Sequence, residues 1–198
     1  FDVSDLPATK TALQTLPSPV LHNLDVLVNN AGLALGLEPA DKTDFADWQQ
    51  MVNTNILGLI HLTHEILPFM VANNDGYIIN LSSTAGNYPY FGGNVYGATK
   101  AFVTQFSLNL RADLVGKNIR VSNIEPGLCG GTEFSNIRFH GDDAKAAQVY
   151  DSVQYVTPQD IANMVAWLIE QPKHVNINRI EVMPTAQTFA GLKVVKDL

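Results

Sequence analysis

Short apolar runs alternate along this chain with longer segments in which apolar residues recur every three or four positions. The short runs are typical of strands covered on both faces of a parallel sheet, and the longer segments are typical of helices that pack one face on a core. The predicted strands cover residues 24–28, 77–81, 119–124 and 176–182. The predicted helices cover residues 10–16, 44–72, 95–115, 143–149 and 158–170. This alternation predicts an α/β fold with a doubly wound parallel sheet, in a single domain over residues 1–198.

Prolines and capping residues set several of the predicted helix boundaries. Pro68 is expected to bend or end the regular part of the 44–72 helix, because proline has no amide hydrogen to donate. Thr157, Pro158 and Asp160 predict a helix start, in which threonine is the cap and proline takes the first helical position.

Three residues that follow predicted strands are expected to meet at one edge of the sheet. Asn30, Ser83 and Pro126 each come at the carboxyl end of a different strand. Ligands of open α/β sheets bind in the crevice outside these carboxyl ends. The sequence therefore predicts a binding site at this edge.

The composition limits the partners that the chain is expected to bind. Apolar residues make up 46% of the chain, and the formal net charge is −7 with the basic residues scattered. A sizeable core is expected, whereas neither nucleic acid nor a membrane is an expected partner. The single cysteine, Cys129, excludes an intramolecular disulfide and fits a reducing compartment, so we expect a cytoplasmic protein.

Tyr96 and Lys100 are four residues apart in a predicted helix, so they project from the same face. A positive charge beside a phenol favours the phenolate, which predicts a lowered pKa of Tyr96 and a role in acid/base catalysis. The hydroxyl of Ser83, at the end of a strand, is expected to polarise a substrate oxygen. Taken alone, the Tyr-x-x-x-Lys pattern also fits an ordinary pair on a helix surface.

Further motifs accompany this pair along the chain. The full set is Asn29-Asn30-Ala31-Gly32, Asn55 within a helix, Ser83, Tyr96-x-x-x-Lys100 and Pro126-Gly127. In order and spacing, over essentially the whole chain, this set resembles the short-chain dehydrogenase/reductase family. The resemblance implies a Rossmann-like fold and an oxidoreductase that transfers hydride between a nicotinamide cofactor and a CH–OH carbon.

The resemblance also implies catalytic roles for four residues. Tyr96 would be the general acid/base, Lys100 would hold it as a partial phenolate and bind the cofactor ribose, and Ser83 would orient the substrate oxygen. Asn55 would hold a water that relays protons from Lys100. Alternatively, Asn55 is a polar helix residue that is satisfied by its neighbours.

The glycine-rich TGxxxGxG turn with which such enzymes begin is absent from the sequence, and Gly32 and Gly36 give only a partial echo of it. Asp2 and Val3 resemble the end of the third strand of the family. We therefore expect the N-terminal strands and helices to be missing from this chain, which leaves the domain incomplete at its N-terminus.

The resemblance implies contacts to the adenine, the ribose and the nicotinamide of the cofactor. The residues concerned are Asp2, Val3, Asn30, Ala31, Gly32, Tyr96, Lys100, Pro126, Gly127, Leu128, Thr132, Glu133 and Phe134. Thr132 is expected to bind the carboxamide, although one extra residue separates it from Pro126 relative to the usual PGxxxT. The resemblance implies NADP, and NAD stays open because the residues that read the ribose 2′ position follow the absent second strand.

Residues 87–94 and 132–139 resemble those of NADP-dependent 3-hydroxy acid dehydrogenases, which also oxidise L-allo-threonine and serine. This implies oxidation of small 3-hydroxy acids of the 3-hydroxypropionate type or of β-hydroxy amino acids, with semialdehyde reduction in reverse. Arg138 lies in the loop expected to cover the substrate, where a guanidinium can bind a carboxylate through two parallel hydrogen bonds. The alternative is a surface arginine in a local ion pair.

Two rival functions stay open at this point. One is a reductase of steroid, sugar or quinone-like carbonyls, and the other is a non-catalytic fragment that no longer binds cofactor. A metal site is not expected, because His61 and His64 have no third ligand nearby. Since family members commonly form tetramers, a homotetramer through the helices at 44–72 and 95–115 is expected.

Overall fold

The computed structural model describes residues 1–189, which form a parallel sheet of four strands with helices on both faces. The strands are β1 (Val26–Asn29), β2 (Gly76–Leu81), β3 (Ile119–Pro126) and β4 (Arg179–Val182), side by side in this order. All neighbouring pairs are parallel. The predicted fold class is confirmed.

Two α-helices precede β1, and the others lie between the strands along the chain. In the described residues they are α1 (Leu6–Thr15), α2 (Ser18–His22), α3 (Phe45–Val52), α4 (Leu59–Asn73), α5 (Asn94–Asp113), α6 (Phe134–Arg138), α7 (Asp143–Gln148) and α8 (Pro158–Glu170). A π-helical segment, Asn53–Gly58, joins α3 to α4 without a break. Short 3₁₀ turns cover Ala40–Lys42 and Thr84–Gly86.

Alternate residues of β2 enter two apolar clusters on opposite faces of the sheet. Ile78 packs with Met70 of α4 and Leu110 of α5, whereas Ile79 packs with Leu168 of α8. Every residue of β2 is buried. This is why the strand reads as a continuous apolar run rather than as an alternating one.

Capping residues explain where several helices begin. The Thr157 hydroxyl accepts the Asp160 amide, and the Asp160 carboxylate accepts the Thr157 amide, so that α8 begins at Pro158 as the sequence predicts. Asp5 and Asp44 cap α1 and α3 through their carboxylates.

Pro68 does not end its helix, because α4 continues to Asn73 and stops at Asn74 in the left-handed conformation (φ 50°). The buried side chains Ile66 and Met70 lie on either side of Pro68 in the sequence and hold this turn against the sheet. The packing thus outweighs the missing amide hydrogen.

The helical stretch Phe45–Asn73 is also long and apolar enough to cross a membrane by length and composition alone. That is weak evidence, since core helices of globular proteins pass the same test. Here the stretch places Ile66 and Met70 in the core beneath the sheet.

Two predicted strand regions differ in the structure. Asp2 and Val3 lie in a turn rather than at the end of a strand, because the Asp2 carboxylate accepts hydrogen bonds from Ser4. The last strand begins at Arg179 rather than at residue 176. Ahead of it, the side chain of Asn176 pairs with both backbone groups of Val121 and so takes the place of a ladder bond.

Candidate active site

A cavity of about 700 Å³ opens at the carboxyl ends of β2 and β3. Asn30, Ser83 and Pro126, which follow three different strands, all line it. Tyr96 and Lys100 reach the same cavity from α5. The structure thus brings together the residues that the sequence singles out for acid/base chemistry.

Tyr96 is buried, with its ring edge-on to Phe134 at 5.9 Å between centroids. Burial raises the pKa of Tyr96 to about 12, and the nearby Ser83 hydroxyl offsets only part of this effect. The predicted lowering of this pKa is therefore wrong for the structure described. The reason is that the loss of hydration destabilises the buried phenolate more than the surrounding groups stabilise it.

Lys100 is buried as well, and its ammonium donates a hydrogen bond to the Leu81 carbonyl at 2.9 Å. Burial lowers the pKa of Lys100 to about 8. The Nζ atom lies 5.9 Å from the centre of the Tyr96 ring. Burial therefore moves the lysine towards its neutral form and the tyrosine away from phenolate, so the expected partial phenolate is not favoured by this pair alone.

The Ser83 hydroxyl stands at the end of β2, where it donates to the Pro126 carbonyl at 3.1 Å and accepts the Ala85 amide at 3.1 Å. These bonds connect the serine to the loop that follows β3. A hydroxyl that donates to a carbonyl in this position can donate to a substrate oxygen after a rotation about its Cα–Cβ bond.

Asn55 lies fully inside the π-helical segment, and its side chain is satisfied by its neighbours. Its amide donates to the Leu33 carbonyl at 2.8 Å and to the Thr99 hydroxyl at 3.0 Å, and its oxygen accepts the Leu33 amide at 2.9 Å. The residue thus fixes the loop after β1 to α5. A π-helical turn is frequent at functional sites.

Gly32 lies where this loop approaches the lysine. A Cβ atom at this position would come 3.1 Å from Nζ of Lys100 and 3.3 Å from Oδ1 of Asn55. The missing side chain therefore leaves room beside the ammonium, on the wall of the cavity.

Arg138, at the end of α6, lies on the same wall. Its guanidinium donates to the Tyr90 hydroxyl at 2.7 Å and to the Gly36 carbonyl at 3.2 Å. Its central carbon lies 5.6 Å from the centre of the Tyr96 ring. The guanidinium is therefore held beside the tyrosine and is not engaged in any ion pair among the described residues.

Most of the residues expected to contact a cofactor line the cavity. These are Asn30, Gly32, Tyr96, Lys100, Pro126, Gly127, Leu128, Thr132, Glu133 and Phe134. In the described part of the chain Asp2, Val3 and Ala31 are not on its wall, and Val3 instead packs against Gly58. Thr132 accepts the Phe134 amide at 3.2 Å and so helps to start α6.

Some residues of the site are missed by the sequence reasoning. Gln187, after β4, accepts the Leu128 amide at 2.7 Å, and Tyr90 holds Arg138. Both line the cavity. No local pattern points to them, because they reach the site from chain segments far from their partners.

His61 and His64 both lie in α4, close to one carboxylate. Among the described residues, no three histidine, cysteine, aspartate or glutamate side chains lie close enough together to hold a metal ion. Glu65 is instead the acidic neighbour of both histidines.

Comparison with known proteins gives the same picture as the geometry. The model of the family described as short chain dehydrogenase matches residues 1–142. A probable NADP-dependent dehydrogenase of Haemophilus influenzae is 69% identical over 197 residues, which are 100% of this chain and 78% of that protein. The NADP-dependent 3-hydroxy acid dehydrogenase YdfG of Escherichia coli K12 is 56% identical over 98% of this chain and 78% of its own length.

A solved structure, the closed form of serine dehydrogenase complexed with NADP+, superposes with a TM-score of 0.96. It is 55% identical in sequence, and the match covers 100% of this chain and 79% of that one.

Proposed function

The chain belongs to the short-chain dehydrogenase/reductase family and is an oxidoreductase, and from this premise we propose that it oxidises small 3-hydroxy acids or β-hydroxy amino acids with NADP+. L-allo-threonine, serine and 3-hydroxypropionate are the substrates of choice, and the reverse reaction reduces the corresponding semialdehydes. The relatives named above as NADP-dependent support the choice of cofactor.

The residues around the cavity fit the nicotinamide half of such a cofactor. Gly32 leaves space beside Lys100, whose ammonium can donate to ribose hydroxyls. When bound, NADP(H) supplies or accepts the hydride. Asn30, Gly127 and Leu128 would hold it, together with Thr132, Glu133, Phe134 and Pro126. Ala31, Asp2 and Val3, which lie off this wall, would contact it outside the cavity, with Asp2 and Val3 at its adenosine end.

Tyr96 is the general acid/base of the proposed reaction. During oxidation it takes the proton of the substrate hydroxyl, and during reduction it returns a proton to the carbonyl oxygen. Ser83 leaves the Pro126 carbonyl and donates to the same substrate oxygen, where negative charge develops. Lys100 assists as a nearby cation. Asn55 holds the Leu33 loop in place beside the lysine and takes part in proton relay.

The observation that carries the substrate class is the position of Arg138. The guanidinium lies beside the Tyr96 ring and is held by neutral partners, Tyr90 and Gly36. A free cation next to the acid/base suits a substrate with a carboxylate a short distance from its hydroxyl carbon. Neutral alcohols would leave this group without an anionic partner.

We also propose a location, an oligomeric state and a set of partner molecules for the protein. The protein is cytoplasmic and forms a homotetramer through α3–α4 and α5. The helical stretch Phe45–Asn73 carries exposed apolar side chains such as Phe45, Leu57 and Val71. The chain forms a single domain over residues 1–198. Its partner molecules are the small substrate and NADP(H), without nucleic acid or membrane.

Nicotinamide fluorescence during titration with NADPH and NADH tests the cofactor first. Tight binding of NADPH alone supports the proposal, and binding of NADH alone contradicts the choice of NADP. Initial rates with NADP+ are then compared for 3-hydroxy acids, β-hydroxy amino acids and neutral secondary alcohols. Equal kcat/KM for acids and neutral alcohols would exclude the proposed substrate class, and turnover of steroid, sugar or quinone carbonyls alone would favour a different reductase.

A further inference from the structure

Glu125 is a fully buried carboxylate that the proposed reaction does not use. It is 0% exposed and lies directly before Pro126 at the end of β3. Arg179, the first residue of β4, donates to both carboxylate oxygens at 2.7 Å each. This two-pronged pair is the geometry in which a guanidinium holds a carboxylate most firmly.

Hydrogen bonds extend from this ion pair to Asn87, in the loop after Ser83. Asn87 donates to the second carboxylate oxygen of Glu125 at 2.6 Å and accepts from Arg179 at 3.0 Å. The same amide reaches Glu181 at 2.9 Å, and Glu181 accepts from Tyr88 at 3.0 Å. Hydrogen bonding to Glu125 raises the pKa of Arg179, with Glu181 and Tyr88 acting in the same direction. Glu125, Glu181 and Tyr88 are therefore the titratable groups that face this arginine.

On its other side the carboxylate meets hydroxyls that lead to Ser83. Asn123 donates to Glu125 at 2.7 Å and to the Thr104 hydroxyl at 3.1 Å. Thr104 is bonded to the Ser82 hydroxyl at 2.8 Å. Ser82 in turn accepts the amide of Ser83.

The shortest hydrogen bond of the Asn123 amide is the one to the carboxylate, and the others go to Ser82 and Thr104. Its NH₂ group faces Glu125, and its buried oxygen has no hydrogen-bond partner among the described residues. An unpaired buried oxygen destabilises the folded state. The unpaired oxygen of Asn123 is therefore unfavourable, whereas its amide group stabilises the buried carboxylate by donating to it.

A buried ion pair is weak evidence for stability, because apolar residues of similar volume often serve as well. Its position is more informative. Glu125 adjoins Pro126 in β3 and accepts from Thr104 of α5 at 3.5 Å. Thr104 in turn bonds to Ser82, which follows β2, and donates to the Lys100 carbonyl.

We infer that the Glu125–Arg179 ion pair is a positioning device for Ser83. It fixes the Pro126 carbonyl, to which the Ser83 hydroxyl donates, and through Thr104 and Ser82 it fixes the Ser83 backbone. The serine is thereby aimed at the reacting oxygen. This inference rests on the proposed role of Ser83 in the reaction but not on the identity of the substrate.

The first test compares Arg179→Gln with Arg120→Gln. Arg120 is a matched structural arginine, which donates to Leu168 and Gln171 at the end of α8 and lies outside the cavity wall. Arg179→Gln is expected to lower kcat about tenfold to a hundredfold, the range for a misplaced catalytic group, with KM close to that of the unchanged protein. Arg120→Gln is expected to lower the melting temperature while kcat is kept. The inference would be overturned if kcat of Arg179→Gln were unchanged. It would also be overturned if KM rose by the same factor by which kcat fell.

The second test removes the buried carboxylate as well. In Arg179→Gln the carboxyl of Glu125 stays buried without its cation, which destabilises the folded state. The melting temperature of Arg179→Gln should therefore lie below that of the double variant Glu125→Gln/Arg179→Gln. Equal melting temperatures of the two variants would contradict a role for the buried charge.

Failure of the proposed substrate class is recognised separately. The kcat comparison uses whichever alcohol or carbonyl the unchanged protein turns over fastest, so it does not depend on hydroxy acids. A crystal structure of Arg179→Gln gives a readout without turnover. The Ser83 backbone and the Pro126 carbonyl are expected to be displaced from their positions in the unchanged protein, and an unmoved Ser83 would refute the inference even if no substrate were found.

Discussion

The ammonium nitrogen of Lys100 lies 5.9 Å from the centre of the Tyr96 ring, and both side chains are buried in the same wall of the cavity. Burial acts on them in opposite directions, raising the pKa of Tyr96 to about 12 and lowering that of Lys100 to about 8. Each group is driven towards its neutral form. A ligand that brings charge or hydrogen bonds to this wall would favour their ionised forms.

The first prediction concerns stability against pH. The unfolded chain protonates Lys100 near the ordinary pKa of 10.5, whereas the folded chain does so only below about 8. Between these values the unfolded state binds more protons, so the stability of the folded state rises with pH and reaches its full value above 10.5. The penalty that is present below pH 8 is of the order of 3 kcal/mol.

Lys100→Met removes this dependence. We expect the variant to be more stable than the unchanged protein at pH 7, and the difference in melting temperature to shrink between pH 8 and 10. Thermal melts of the two proteins in the same buffers measure it. A constant difference across this range would contradict the lowered pKa, and Lys117→Met, at an exposed lysine, is the control for general charge effects.

The second prediction is that Tyr96→Phe abolishes turnover while NADPH affinity is kept. The ring and its edge-on contact with Phe134 remain, so only the proton-transfer group is lost. A loss of at least about 10²–10⁴-fold in kcat follows from the usual contribution of general acid/base catalysis. Initial rates and nicotinamide fluorescence give the two quantities, and substantial residual turnover would remove Tyr96 from the proposed role.

Much of the fold could be predicted from the sequence, because parallel strands and capped helices leave local patterns. The helix at residues 158–170 begins and ends as predicted, since Thr157 and Asp160 form both capping bonds. The three strand ends that carry Asn30, Ser83 and Pro126 do meet at one cavity. These outcomes depend on neighbours in the sequence or on the common direction of the strands.

The rest depends on contacts between distant parts of the chain. The pKa of Tyr96 moves opposite to the prediction because burial, which a helical spacing does not reveal, outweighs the lowering by Ser83 and Arg138. The hydrogen bond between Arg138 and Tyr90 joins residues 48 positions apart, and the pair of Glu125 with Arg179 joins residues 54 positions apart. Helix α6 has only five residues, too few for a periodic apolar pattern.

The third prediction tests the guanidinium of Arg138. Arg138→Leu is expected to raise KM for 3-hydroxy acids about tenfold to a hundredfold, since a charge-assisted hydrogen bond contributes about 1.5–3 kcal/mol. KM for neutral alcohols should change little. Arg111→Leu, which removes the same charge at the end of α5 away from the cavity wall, is the matched control. Equal effects of Arg138→Leu on acids and neutral alcohols would discard the carboxylate contact.

The fourth prediction separates two roles of Asn55. Its three hydrogen bonds hold the Leu33 backbone to Thr99, and Asn55→Ala leaves both Leu33 groups without their partner in a partly buried place. We expect a loss of about 1–3 kcal/mol in the free energy of unfolding, the cost of unpaired buried polar groups. Asn53→Ala is the control, because Asn53 belongs to the same π-helical segment but is partly exposed.

Denaturant unfolding and initial rates of both variants decide between the roles. If Asn55 chiefly fixes the loop, Asn55→Ala loses stability and activity together, because Gly32 moves relative to Lys100 when the Leu33 loop is released. If Asn55 acts only in proton relay, kcat falls while the free energy of unfolding equals that of the unchanged protein. The hydrogen bonds favour the first outcome, in which Asn53→Ala changes neither quantity appreciably and Asn55→Ala lowers both.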